Sequence, residues 1–183
     1  MIQVVFALVL LVLSAAVVLL FAMMGELASR VPPPEGGRRD QKVTELDGAR
    51  VGRAPDAWPD ELASLADAQP GLLLVLSTAC GSCGEIARQL SAEFARGQGD
   101  DVAVLVSSAT RDSGEEFVQR HGIGRVRYFV DEGGDWVRRE FGVMASPTGL
   151  VFREGRLDQA LVFQDVAALR ARAAAAPAEA ARR

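Results

Sequence analysis

The chain has 183 residues, a formal net charge of -4, 2 cysteines and 1 histidine. At the usual ~100–200 residues per domain this is one domain with flanking segments, and the acidic balance argues against a nucleic-acid partner. Two cysteines are too few for a disulfide-stapled miniprotein, and one CxxC with a single histidine is too few soft ligands for a closed four-ligand zinc site. No metal and no cofactor is expected.

Met1 to Met24 carries no charged side chain and is almost entirely Val, Leu, Ala, Phe and Met. As a helix, Ile2 to Met24 would span roughly 34 Å, enough to cross a hydrocarbon core of about 30 Å. A membrane anchor is therefore predicted over residues 1–25. A cleaved secretory signal is the competing reading. The run lacks a basic leading region, exceeds a typical signal core and ends without an A-x-A site. Orientation is contested within the sequence. Arg30, Arg38, Arg39 and Lys42 follow the span, and the positive-inside rule would then keep the domain cytoplasmic. Glu26, Glu35 and Asp40 interrupt that basic cluster.

Residues 26–42 read as a linker, with Pro32-Pro33-Pro34 extended and Gly36-Gly37 flexible. The domain is predicted over 43–173. It begins with a short strand, Val43 to Leu46, ending in an Asp47-Gly48 turn, and Trp58 to Ala68 follows as a short helix. Leu72 to Ser77 reads as a buried strand, with an unbroken apolar run from Leu72 to Leu76. It leads through Thr78-Ala79 into Cys80-Gly81-Ser82-Cys83 and a helix with Ile86, Leu90 and Phe94 on one side. Val102 to Val106 is a second buried strand, Ser113 to His121 a helix closed by Gly122, and Val126 to Val130 a third strand. A turn over Asp131 to Gly134 and a short helix from Trp136 to Phe141 come next. Gly149 to Phe152 and Leu157 to Phe163 form a hairpin, Asp165 caps a last amphipathic helix, and 174–183 is a flexible tail. The whole describes an α/β sandwich with a mixed sheet.

The cysteines stand at the joint between a buried strand and a helix. Positions three apart at a first helical turn can close a disulfide. Cys80, at the amino-terminal end, gains from the unpaired N–H groups and helix dipole that stabilise a thiolate. Cys83 falls on the face that continues to Ala87, Leu90 and Phe94, so it should be buried. Cys80 is thus the attacking thiolate and Cys83 the resolving thiol. Gly81 and Ser82 lie between them and help set the redox poise. Two structural thiols or a metal site are the alternatives from the CxxC alone. Ser146-Pro147-Thr148, directly before a strand, points to a cis proline in a tight turn.

FGVMASPTGLVFREGRL (Phe141 to Leu157), with the upstream CxxC, resembles the proline-loop and hairpin segment of thioredoxin-fold proteins. The anchor, the front extension with its Leu46-Asp47-Gly48 turn and an additional βα unit resemble the membrane-anchored thioredoxin-like family of the TlpA/ResA/MauD type. The resemblance covers roughly Val43 to Ala173. It implies a thioredoxin-like fold and thiol–disulfide exchange outside the cytoplasm, in cytochrome c or other protein maturation. Ser146 and Pro147, with Gly81 and Ser82, then contact the substrate. Implied partners are protein thiol or disulfide clients, the membrane through the amino-terminal helix, and a separate electron donor or acceptor. Two positions depart from the pattern. Ala79 stands where thioredoxins usually carry Trp, and LLLVL (Leu72 to Leu76) contains no buried carboxylate. Both bear on the rate and direction of electron flow.

Two other readings remain at this stage, a redox-inert binding module and a peroxidase using Cys80 with Ser77 as its hydroxyl partner. The peroxidase reading wants a proline-containing approach loop, and Leu72 to Ala79 has none. His121 is expected to cap its helix as a partly charged imidazole beside the last carbonyls. Trp58 and Trp136 read as packing, and Arg125 and Arg127 as solvated charges.

Overall fold

Leu72, Leu74 and Leu76 point to one side of a central strand, and Leu73 and Val75 to the other, all of them buried. That alternation splits the core in two and organises the rest of the chain. The computed structural model describes residues 43–98 and 102–180, together with 3, 6, 11, 13 and 14. The chain divides into two units, Met1–Asp40 and Gln41–Arg183. Of the first, the five described residues are helical. The rest of the anchor predicted over 1–25, the linker up to residue 42 and the last three residues of the tail lie outside the described residues. Among the described residues no helix is long and apolar enough to cross a membrane.

In the second unit the elements run β1 (Thr44–Glu45), a 3-10 helix (Asp60–Ala66), β2 (Gly71–Ser77), α1 (Cys83–Ala95), β3 (Val102–Ser108) and α2 (Arg111–Arg120). They continue with β4 (Arg127–Glu132), α3 (Asp135–Phe141), β5 (Thr148–Arg153), β6 (Arg156–Val162) and α4 (Val166–Ala180). The strands form one six-stranded sheet in the order β1-β6-β5-β2-β3-β4. β2, β3 and β4 are parallel, whereas β5, β6 and β1 pair antiparallel. A parallel βαβαβ half joined to an antiparallel hairpin and a final helix is the thioredoxin-like arrangement.

One core layer takes Leu74 and Leu76 with Cys83, Ile86 and Leu90 of α1, Phe117 and Val118 of α2, and Val166 and Leu169 of α4. The opposite layer takes Leu73 and Val75 with Leu62 and Leu65 of the 3-10 helix, and Trp136 and Phe141 of α3. β2 is apolar without a break because helices cover both of its faces. Gly114 allows α2 to lie close on β4: a β-carbon there would stand 2.5 Å from Val130 Cγ1.

Several expectations are corrected in detail. The segment expected as a helix over Trp58 to Ala68 is a 3-10 helix limited to Asp60–Ala66, with Leu62 and Leu65 buried. Asp131 and Glu132, read as turn residues, belong to β4. Asp131 is buried because its carboxylate accepts the Trp136 and Val137 N–H groups, each at 3.0 Å, and so caps α3. Asp165 Oδ1 accepts the Ala168 N–H at 2.8 Å. The helix it opens runs to Ala180, beyond the point where the sequence predicts a tail. Alanine's high helix propensity accounts for the extension. Arg127 is exposed, in keeping with its reading as a solvated charge, and also donates to the Ser64 hydroxyl of the 3-10 helix.

Residues 46–58 cross from β6 to α3 as a strap. Leu46 N–H donates to Ala160 C=O at 2.8 Å, Arg50 N–H to Phe141 C=O at 2.9 Å, and Gly52 N–H to Leu157 C=O at 2.7 Å. Trp58 packs edge-on against Phe152 at 5.1 Å, and the Trp136 indole N–H donates to Ala57 C=O. Both tryptophans therefore work as packing residues.

Candidate active site

The parallel strands β2 and β3 end together, with Ser77 paired to Ser107. The chain leaves β2 through a turn in which Cys80 N–H donates to Ser77 C=O at 3.2 Å and Cys83 N–H to Cys80 C=O at 3.3 Å. Helical hydrogen bonding starts at Cys83, so Cys80 lies in the approach turn rather than within the first helical turn. The Ala79 N–H is taken by the Ser77 hydroxyl at 3.2 Å.

Cys80 and Cys83 are disulfide-bonded, with their Cα atoms 5.4 Å apart. Their environments differ sharply. Cys83 is fully buried in the layer of Leu74, Ile86 and Leu90, while Cys80 is half-buried at its edge. Gly81 and Ser82 are exposed at the tip of the turn. The Ser82 hydroxyl lies 3.5 Å from Cys80 Sγ, where it can donate to a thiolate.

The second half of the site arrives from the other end of the domain. β5 pairs antiparallel with β2, Val75 opposite Thr148, which carries the loop before β5 to the cysteine turn. The Ser146–Pro147 bond is cis, and the Ser146 carbonyl oxygen lies 3.4 Å from Cys80 Sγ. Pro147 is buried behind it, and the fully buried Thr148 hydroxyl donates to Ala145 C=O at 2.8 Å, fixing the loop. A hollow of about 220 Å³ adjoins Ser146, with Val75, Val137 and Val143 in its wall. Met144, 82% exposed, stands on the rim.

The structure thus brings Cys80, Cys83, Ser82 and Ser146 together, with Pro147 supporting them and Gly81 facing outward. A second cis bond, Gln69–Pro70, precedes β2 and escaped the sequence reading. So did the Thr148 anchor and the exposed Met144, whose only signal was their place beside Pro147. β2 holds no carboxylate. Among the described residues, the three buried ones are engaged elsewhere: Asp131 with α3, Glu93 with Arg170, and Glu140 with the Asp56 N–H and Arg139. No group of three His, Cys, Asp or Glu is placed to hold a metal ion among them.

His121 stands at the end of α2 as expected, but its expected charge is corrected. Its ring packs at a tilt of 54° against Phe117, with centroids 4.5 Å apart. Burial chiefly, and then Arg88 and Arg120, hold its pKa below the usual histidine range, so the neutral ring is favoured.

No protein-family model matches this chain, and no curated protein matches it in sequence. Among solved structures it is similar to a DsbF homologue from Corynebacterium diphtheriae, at 14% identity and a TM-score of 0.48, covering 79% of this chain and 96% of that one. It is also similar to a secreted Mycobacterium tuberculosis disulfide oxidoreductase described as homologous to Escherichia coli DsbE. There the identity is 22% and the TM-score 0.45, covering 62% of this chain and 85% of that one. StoA from Bacillus subtilis matches at 13% identity and a TM-score of 0.45, covering 71% and 93%.

Proposed function

We propose that this protein is a membrane-tethered thiol–disulfide oxidoreductase acting on protein clients outside the cytoplasm. The observation that carries the reading is the asymmetry of the cysteine pair: a half-buried Cys80 beside the Ser146 carbonyl, and a fully buried Cys83 behind it. In the reducing direction the Cys80 thiolate attacks one sulfur of a client disulfide. A Cys80–client disulfide forms, and the other client sulfur leaves as a thiolate. Cys83 then loses its proton and attacks Cys80 Sγ, closing the pair and releasing the second client sulfur, which takes up a proton. The oxidising direction is the reverse. The Ser146 carbonyl and the hollow beside Met144 offer the client chain an edge and an apolar contact next to the reacting sulfur. Gly81 and Ser82 meet it from the other side.

Tethering rests on the charge-free run Met1 to Met24. Clients maturing outside the cytoplasm, cytochrome c among them, fit an exposed exchange site held at a membrane. A separate partner would return the electrons. The reduction potential sets the direction: near ~-270 mV the pair works as a reductant, near ~-120 mV as an oxidant. Insulin reduction by the full chain in detergent, compared with Cys80→Ala, tests the catalytic assignment, and equal rates in the two proteins would remove it. Sidedness is tested separately. A membrane-impermeant thiol reagent that reaches reduced Cys80 only after lysis places the domain on the cytoplasmic side, as the arginines alone would have it.

A further inference from the structure

The end of α2 is fastened to α1 along one stripe. Gly84, Arg88 and Ser91 are spaced four and three apart and share a face of α1. At one end of the stripe the Ser91 hydroxyl donates to Gly122 C=O at 3.1 Å. At the other the His121 ring lies over Gly84, with Cε1 2.9 Å and Nε2 3.2 Å from where a β-carbon would stand. The ring occupies that place only because residue 84 has no side chain. The place is in the first turn of α1, at the residue that follows Cys83, whose sulfur is bonded to Cys80.

We infer that His121 belongs to the redox site, with its imidazole docked on Gly84 and electrostatically coupled to the Cys80 thiolate that forms when the pair is reduced. The inference rests on the exchange chemistry proposed above and adds a residue to it. The charged groups around the ring are Arg88, paired with Glu85 on α1, and Arg120, paired with Glu116 on α2. The amino-terminal end of α1 adds positive potential. With the disulfide closed, burial first and then Arg88 and Arg120 favour the neutral imidazole. Reduction places an anion nearby and opposes them. A dithiol donor delivers two electrons and two protons to the pair. Cys83 keeps one proton, Cys80 remains a thiolate, and the second proton is divided between His121 and solvent. By linkage, the protonated ring favours the Cys80 thiolate by the same factor that the thiolate favours the protonated ring.

Because the chain has a single histidine, one resonance reads the coupling. Untagged full chain in detergent micelles, labelled in the histidine ring, is titrated with pH while oxidised and again after reduction by a phosphine. The expected result is a proton affinity of His121 about threefold or more higher in the reduced protein. Cys80→Ser, which forms no thiolate, should titrate like the oxidised wild type, and Gly84→Ala, which displaces the ring, should narrow the gap between the two redox states. Equal midpoints in oxidised and reduced wild type overturn the inference. So does a Cys80→Ser midpoint as high as that of the reduced wild type, since the ring would then be sensing the opened bridge and not a charge. The phosphine opens the disulfide whether or not any client is turned over. Failure of the insulin assay and failure of this titration are therefore separate results.

Discussion

The Ser146 carbonyl oxygen lies 3.4 Å from Cys80 Sγ although 66 positions separate the two residues. The contact exists because β5 returns antiparallel beside β2 and sets Thr148 opposite Val75. Thr148 is fully buried, and its hydroxyl holds Ala145 C=O one residue before the contact. Thr148→Val keeps the shape and removes that donor. The expected loss is about 1 kcal/mol of stability, read by denaturant unfolding. Insulin turnover should fall several-fold more than the small loss of folded protein explains. A variant that is less stable but fully active would separate loop anchoring from catalysis.

Ser82 bears directly on the attacking sulfur. Its hydroxyl, 3.5 Å from Cys80 Sγ, can donate to the thiolate and so favour it over the thiol. Ser82→Ala should move the rise of the exchange rate to higher pH and lower the rate at neutral pH. Alkylation of the reduced protein as a function of pH measures this without a client. Thermal stability should hardly change, because Ser82 is exposed.

The glycine at 114 is a packing requirement. An added β-carbon meets Val130 Cγ1 at 2.5 Å and Cγ2 at 3.0 Å. Overpacking of this kind costs about 1–3 kcal/mol, and alanine's better helix propensity returns at most ~1 kcal/mol. Gly114→Ala should therefore destabilise the domain by about 1–2 kcal/mol in chemical denaturation. A variant more stable than wild type would mean that α2 can lift from β4 at little cost.

Glu140 controls the acid limit of the front strap. It is only 2% exposed, and burial by itself would raise its pKa. The Asp56 N–H at 3.0 Å, with Arg139 and Arg53, outweighs burial and holds the carboxyl below its ordinary range. A carboxylate depressed by folding contributes stability that is full above the ordinary glutamate pKa and is lost as pH falls through the lower folded value. Glu140→Gln should therefore lower stability by about 1–3 kcal/mol at neutral pH. The gap to wild type should close below about pH 4. Paired melting curves from pH 7 down to pH 3 test the sign, and a gap that widens in acid would reverse it.

Much of this architecture can be read from local pattern. The unbroken run from Leu72 to Leu76 identifies a strand buried on both faces, and the spacing of Ile86 and Leu90 identifies the helix that follows. Both signals are periodic and local, so they survive without knowledge of the partners. The 3-10 helix at Asp60–Ala66 was harder to assign, because an apolar pair at Leu62 and Leu65 suits either a tight or an ordinary helix. Asp131 reads as a turn residue because Gly133-Gly134 follow two positions later, and its role shows only once the helix whose N–H groups it accepts is in place.

By itself the sequence determined the two cysteines, their spacing, the strand-to-helix joint that holds them, the Ser-Pro-Thr loop and the charge-free amino-terminal run. These are short-range features, written in consecutive residues and in the periodicities of strand and helix. Only the tertiary structure decided what faces the cysteine pair. The pairing of β5 with β2 brings the Ser146 carbonyl to Cys80. The packing of α2 on α1 brings His121 onto Gly84, and a residue read as a charged helix cap becomes a ring whose neutral form is favoured. Such contacts join positions tens of residues apart, and their energies depend on burial and on charges supplied by other elements.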